Sequence, residues 1–153
     1  MNKRTLLAAA AAAAGLFLAG CASTSADLMR DLPPGDNALL KRFKARVNLQ
    51  FARLDLAFKN IASLSLIVSA NPNREALVRE DYKKLERAYR ELQKLAIQID
   101  AVRASIKGEA VSAAFENYAK ALLNITQNPM GDIDETKLSA MLKAASELEP
   151  VLD

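Results

Sequence analysis

Apolar residues recur along most of this chain at intervals of three and four, with polar residues between them. Such intervals bring side chains onto one face of an α-helix. Leu40, Phe43, Val47, Leu54, Phe58, Ile61 and Val68 make one stripe of this kind, and Leu49, Leu56, Leu64 and Ile67 make a second. The spacing predicts a first helix, A, starting at Asp36 or Asn37, either of which has an N-capping side chain, and running to about Ser69. An element apolar on more than one side needs more than one neighbour, so helix A is expected to be central, above all from Leu54 onward. The stretch Ile61 to Val68 also reads as a strand, but nothing else in the chain offers a strand to pair with it.

Asn71-Pro72-Asn73 interrupts the pattern, with Asn71 as a cap and Pro72 in a first turn, where its missing N–H costs nothing. Helix B then extends to about Lys107. Val78, Leu85, Leu92, Ile99 and Ile106 lie seven apart, and Tyr82, Tyr89 and Ala96 fill the alternate positions. This heptad pattern predicts lengthwise packing of B on A, as in a coiled coil. Glu75–Arg79, Glu80–Lys84, Glu86–Arg90 and Arg87–Glu91 are spaced i,i+4 on the outer face. Pairs of that kind contribute only about 0.2–0.5 kcal/mol each and mark a solvated surface.

At Gly108 the register slips, which predicts a turn or a sharp kink. Val111, Phe115, Tyr118, Leu122 and Ile125 define helix C, over about Glu109 to Gln127. After Asn128-Pro129-Met130-Gly131, the segment Asp132-Ile133-Asp134-Glu135 is similar to a capping box and opens helix D. Leu138, Met141, Leu142, Ala145 and Leu148 are its inward set, and Pro150 limits it. The expected fold class is all-α: an elongated antiparallel bundle of three to four helices. A and B are long, at about 35 residues and about 50 Å each. C and D are short, either an interrupted third rod or a hairpin.

The first 21 residues obey a different order: a basic start at Lys3 and Arg4, an apolar run from Leu6 to Leu18, then small residues. That is the layout of a secretory signal. The run has 13 residues, whereas a finished membrane-spanning helix needs about 20. Leu18-Ala19-Gly20-Cys21 resembles the lipobox of bacterial lipoproteins, a resemblance confined to residues 1–21. It implies cleavage before Cys21, a diacylglyceryl group on the Cys21 thiol and acylation of the new amino terminus. Two or three acyl chains hold a protein durably where one does so only reversibly. Ala22 in place of Asp implies, by the sorting rule of the enterobacterial type, export to the outer membrane facing the periplasm. An ordinary secretory signal cut later, after Ala26, is the plainer alternative. The division is then 1–20 signal peptide, 21–35 lipidated cysteine and tether, and 36–153 helical bundle. Residues 22–35 reach at most about 45 Å at about 3.3 Å per residue, less if Leu28, Met29 and Leu32 dock on the domain.

Without Lys3 and Arg4 the chain has 19 basic and 18 acidic residues, so the pI near 9.1 overstates its basicity. With near-neutral charge and no interleaving of aromatic and basic residues, nothing points to nucleic acid. Gly and Pro number five each and lie mainly in the breaks; a chain of this size can bury a core without disulfides.

His is absent and Cys21 is the lone cysteine, so imidazole acid–base catalysis, a free Cys nucleophile and a zinc site of the usual kind are not expected. The acids at 132–135 lack calcium-loop spacing, and no serine stands in a nucleophile motif. Neither enzyme activity nor a cofactor is expected.

Two features remain as contact sites. From Lys41 to Lys59 six bases accompany one acid, whereas from Asp132 to Asp153 six acids accompany two bases. Lys41, Arg42, Lys44 and Arg46 therefore make a candidate contact with an anionic surface or an envelope protein partner, unless the two segments face each other. Tyr82 and Tyr89, seven apart, are either core-edge residues or a docking ridge. The expected function is a non-catalytic, membrane-anchored docking, scaffold or assembly module. The alternative is a periplasmic carrier or chaperone of lipid or hydrophobic peptide, which would require an apolar groove or void.

Overall fold

The computed structural model describes residues 28–67 and 74–152, and every regular element among them is helical. Cys21, Ala22, the signal residues, and the cap read at Asn71-Pro72 lie outside the described residues. Five α-helices follow in order: α1 (Ala38–Ile67), α2 (Arg74–Ala96), α3 (Ile99–Ser105), α4 (Glu109–Thr126) and α5 (Glu135–Leu152). A single 3₁₀ turn, Met130–Asp132, joins the last two.

α1 and α2 run in opposite directions. Asn60 donates from Nδ2 to Asp81 Oδ1 (3.4 Å), while Gln50 and Glu91 line the same groove further along. The inward face of α1 is Leu40, Phe43, Val47, Phe51 and Leu54, all buried, with Phe58 and Ile61 partly so. The first half of the second stripe expected of helix A does not pack: Leu49 is 52% exposed and Leu56 61% exposed, whereas Leu64 is half-buried and the side chain of Ile67 lies outside the description. α1 still touches α2, α3 and α5, but it does so with one broad face.

The seam of α2 also differs from the heptad reading. Leu85, Leu92 and Ile99 are buried as expected. Their alternates are Ala88, Leu95 and Val102, the first two of which lie one residue before the expected Tyr89 and Ala96. Tyr89 is buried as well, but Tyr82 is 49% exposed. Both phases satisfy helical spacing, and periodicity alone does not separate i+3 from i+4.

Helix B is moreover two helices. At Gln98 the N–H bonds to the Leu95 carbonyl (2.9 Å), a tight i−3 turn, and the Gln98 carbonyl then opens α3 by accepting from Val102 N–H (3.0 Å). There is no Gly or Pro here to announce it. α3 stops at Ser105, and Gly108 takes φ +100°, a backbone conformation that a β-carbon strains. The slip at Gly108 is thus a true turn, and α4 begins one residue later.

α4 and α5 pack against each other, so C and D form a hairpin. α4 supplies Phe115, Tyr118, Leu122 and Ile125, all fully buried, and Phe115 meets Phe43 edge-on at 6.1 Å and 64°. α5 contributes Leu138, Met141, Ala144 and Leu148, whereas Leu142 is exposed. Its cap is Asp134, whose Oδ1 accepts from Lys137 N–H (2.9 Å). Lys137 Nζ in turn donates to the Asp132 carbonyl (2.8 Å), in the place where the capping-box reading put a carboxylate. α5 continues through Pro150 to Leu152 rather than stopping before it.

The packed part of the chain reaches back beyond Asp36. Leu28 is 1% exposed and belongs to the core, and Leu32 packs on its edge, while Met29 is exposed.

Candidate functional site

The basic segment of α1 does not form one free patch. Lys41 is exposed on its outer side. Arg42 turns back to the preceding chain, where its guanidinium donates to the carbonyls of Leu28 (3.2 Å), Arg30 and Asp31 (2.9 Å). Those carbonyls end a short helical turn in which Asp31 has φ +49°. A planar five-donor group suits such a cluster of converging oxygens. Lys44, with only 12% of its side chain exposed, pairs with Glu149 of α5 at 2.5 Å. Arg46 is half-buried and engaged. Part of the charge asymmetry is therefore internal: the basic start of α1 meets the acidic end of α5.

Asn37, one of the two capping candidates for helix A, caps nothing in its own first turn. It sits at φ +59°, and its carboxamide bridges to Lys107. Nδ2 donates to the Lys107 carbonyl (3.1 Å) and Oδ1 accepts from the Lys107 N–H (2.8 Å). This two-point clasp ties the start of α1 to the α3–α4 turn. Lys107 Nζ also lies 3.9 Å from Asp36, an exposed pair of little energetic weight.

The two tyrosines of α2 do not form a ridge. The Tyr89 hydroxyl donates to the carbonyls of Asn128 (2.5 Å) and Thr126 (3.4 Å), the unpaired end of α4, with Gln93 Nε2 beside it on Thr126 (3.2 Å). Burial pushes the Tyr89 phenol above its ordinary range, with Arg90 opposing. Tyr118 is the more strongly affected: burial raises its pKa far above 10, and its hydroxyl donates to Asn48 Oδ1 (2.7 Å). Neither phenol is placed to act as an acid or base toward a substrate. Arg103 of α3 grips Glu116 of α4 through Nε (2.6 Å) and a terminal nitrogen (3.1 Å), and the hydrogen bonds to Glu116 raise its pKa further.

The groove between α1 and α2 was not foreseen. It is open to solvent, with a volume of approximately 620 Å³. Ala57 and Ala88 form its floor, where two small side chains leave space between the helices. Leu56, Arg53, Lys84 and Arg87 stand on its rim. Among the described residues these three cations make no ion pair or hydrogen bond, while the acids Asp81 and Glu91 are engaged with Asn60 and Lys94. The exposed Leu49–Leu56 stripe, flanked by Arg53, was the available sequence signal for this rim.

Among the described residues no three acidic side chains gather as a metal site, and no helix is long and apolar enough to cross a membrane. No family model matches this chain, and no curated protein or solved structure matches it either. Function has to be read from its own residues.

Proposed function

We propose that this chain is a lipoprotein of the bacterial envelope, held by acyl chains on Cys21, whose helical bundle is a non-catalytic docking or assembly module. The observation that carries the reading is the lipobox at Leu18–Cys21 followed, seven residues on, by Leu28 seated in the core under the Arg42 clasp. Seven residues span at most about 25 Å. A lipid on Cys21 would therefore hold the bundle near the membrane surface, with its first helix closest to the headgroups. Ala22 favours the outer membrane, facing the periplasm.

The bundle itself is read as elongated, with α2 and α3 as one interrupted rod beside α1 and with the α4–α5 hairpin across their inner face. Docking is favoured over transport of apolar cargo by the character of the groove. Its floor is narrow and apolar, but Gln50, Asn60 and five charged side chains surround it. An acyl chain would leave those groups poorly solvated without pairing them, whereas a polar-rimmed protein surface could pair with them.

The test is Cys21→Ser. Wild-type protein should incorporate labelled palmitate and fractionate with outer membranes, and the variant should do neither. Undiminished labelling and membrane fractionation of the variant would remove the anchor from the reading.

A further inference from the structure

The groove between α1 and α2 has the chemistry of a specific kind of partner. Ala45, Leu49, Ala52 and Leu56 are exposed along one line of α1, at intervals of four, three and four. That is the spacing of a coiled-coil seam, and it is left uncovered beside a concave floor. The rim is net positive: Arg53 on α1 and Lys84 and Arg87 on α2, all exposed, make no ion pair among the described residues, while Glu91 is paired with Lys94 and Asp81 is held by the Asn60 amide. Lys59, next along α1, is paired with Asp55 at 3.0 Å.

The geometry points to an acidic amphipathic helix of another protein as the occupant, its apolar ridge on Leu49, Leu56 and Ala57 and its carboxylates on Arg53, Lys84 and Arg87. This deepens the docking part of the proposed function and does not depend on the anchor.

Three other occupants fit less well. The undescribed parts of this chain are poor in acid: residues 1–27 contain only Asp27, residues 68–73 contain none, and Asp153 is a single residue. A second copy related by a two-fold axis would bring the same net-positive rim onto itself, and like charges across an interface are repelled. An anionic bilayer would attract the same cations, but it presents a broad plane, whereas the apolar surface here lies partly within a cleft. A helix in a groove fills such a cleft with side chains at i, i+3, i+4 and i+7.

The experiment uses the full chain, both in zwitterionic phosphatidylcholine nanodiscs and free in buffer. The probe is a fluorescein-labelled synthetic helix about three heptads long, with Leu along one face and Glu on its flanks. A second peptide has Lys in place of Glu. Fluorescence anisotropy should show the Glu peptide binding, weakening as salt rises from about 50 to about 300 mM. Binding should weaken at least about tenfold in Arg53→Glu/Arg87→Glu, with unchanged circular dichroism, and the Lys peptide should bind far less.

Equal binding of both peptides, or indifference to the double substitution, overturns the proposal. So does a dimer in sedimentation that Leu49→Glu dissolves. Binding to phosphatidylglycerol vesicles, lost in the double variant, with no peptide binding, assigns the rim to a membrane instead. A photo-crosslinking residue at Leu56 in cells should give adducts with acidic peptides. Adducts through Leu142 on α5 with Leu56 silent would overturn the groove and leave the docking module standing. Silence at both positions, with no peptide bound, would remove both.

Discussion

Arg42→Gln should free the segment that precedes α1 while leaving the bundle folded. The wild-type guanidinium donates to three carbonyls, those of Leu28, Arg30 and Asp31. A hydrogen bond from a charged group contributes about 1.5–3 kcal/mol when it is well shielded and less when exposed. Two of these three bonds are exposed and one is part-buried, so about 2 kcal/mol in total is a reasonable figure for the cluster. Leu28, at 1% exposure, adds its own burial and resists release. The bond after Arg30 reports on this directly, because trypsin can cut there only once the turn has opened. When opening is fast relative to cleavage, the rate follows the open population. Two kcal/mol then predicts cleavage about thirty-fold faster in the variant. Hydrogen exchange at residues 30–32 should accelerate by a similar factor, and the melting temperature should fall by no more than a few degrees, since the helices keep their contacts. Unchanged cleavage after Arg30 in Arg42→Gln, with wild-type cleavage slow, would mean that Leu28 alone holds the segment and the clasp contributes nothing.

Leu54→Ala should destabilise the protein by about 2–5 kcal/mol in denaturant unfolding, whereas Ile61→Ala should cost distinctly less, because Leu54 is fully buried and Ile61 only partly; equal costs would contradict that difference in packing. Asn37→Gly should lose the clasp on Lys107 but keep the left-handed backbone, and Asn37→Ala should cost about 1 kcal/mol more; if the two melt together, the φ of +59° carries no strain for alanine. Stability should not respond to Tyr118 below pH 10, where the phenol is neutral in both states; above it the unfolded chain ionises first, because the folded pKa is raised, and stability should fall by about 1.4 kcal/mol per pH unit from this group. Tyr118→Phe should flatten that alkaline slope, and an unaltered slope would place the titration elsewhere.

The helix class, the turn at Gly108, the start of α4 and most of the inward positions follow from the spacing of apolar residues, because burial on a helix requires that spacing whatever the neighbour. The resemblance of Leu18–Cys21 to a lipobox is likewise local, a matter of adjacent residues. What spacing cannot express is which of two possible faces finds a partner. Leu49 and Leu56 sit at helical intervals as good as those of Phe43 and Val47, yet only the latter are buried, Phe43 against Phe115 of α4, since that choice depends on where distant segments lie. The same holds for Tyr89 against Ala88, and for the bend at Gln98, where the backbone tightens without Gly or Pro.

Charge shows the limit most clearly. Lys41, Arg42, Lys44 and Arg46 are one basic cluster in sequence, but a helix turns about 100° per residue and sends them in different directions. Arg42 meets the chain 11 to 14 residues before it and Lys44 meets Glu149, 105 residues after it. Three of the cations without partners among the described residues, Arg53, Lys84 and Arg87, come from two helices and become neighbours only when α1 and α2 pack antiparallel over Ala57 and Ala88. Residue type and spacing determined that this chain is helical, and the proposal of a lipid anchor rests on a resemblance among adjacent residues alone. Which of its charges are spent within the fold, and which remain to meet a partner, is a property of long-range geometry and was decided by the tertiary structure alone.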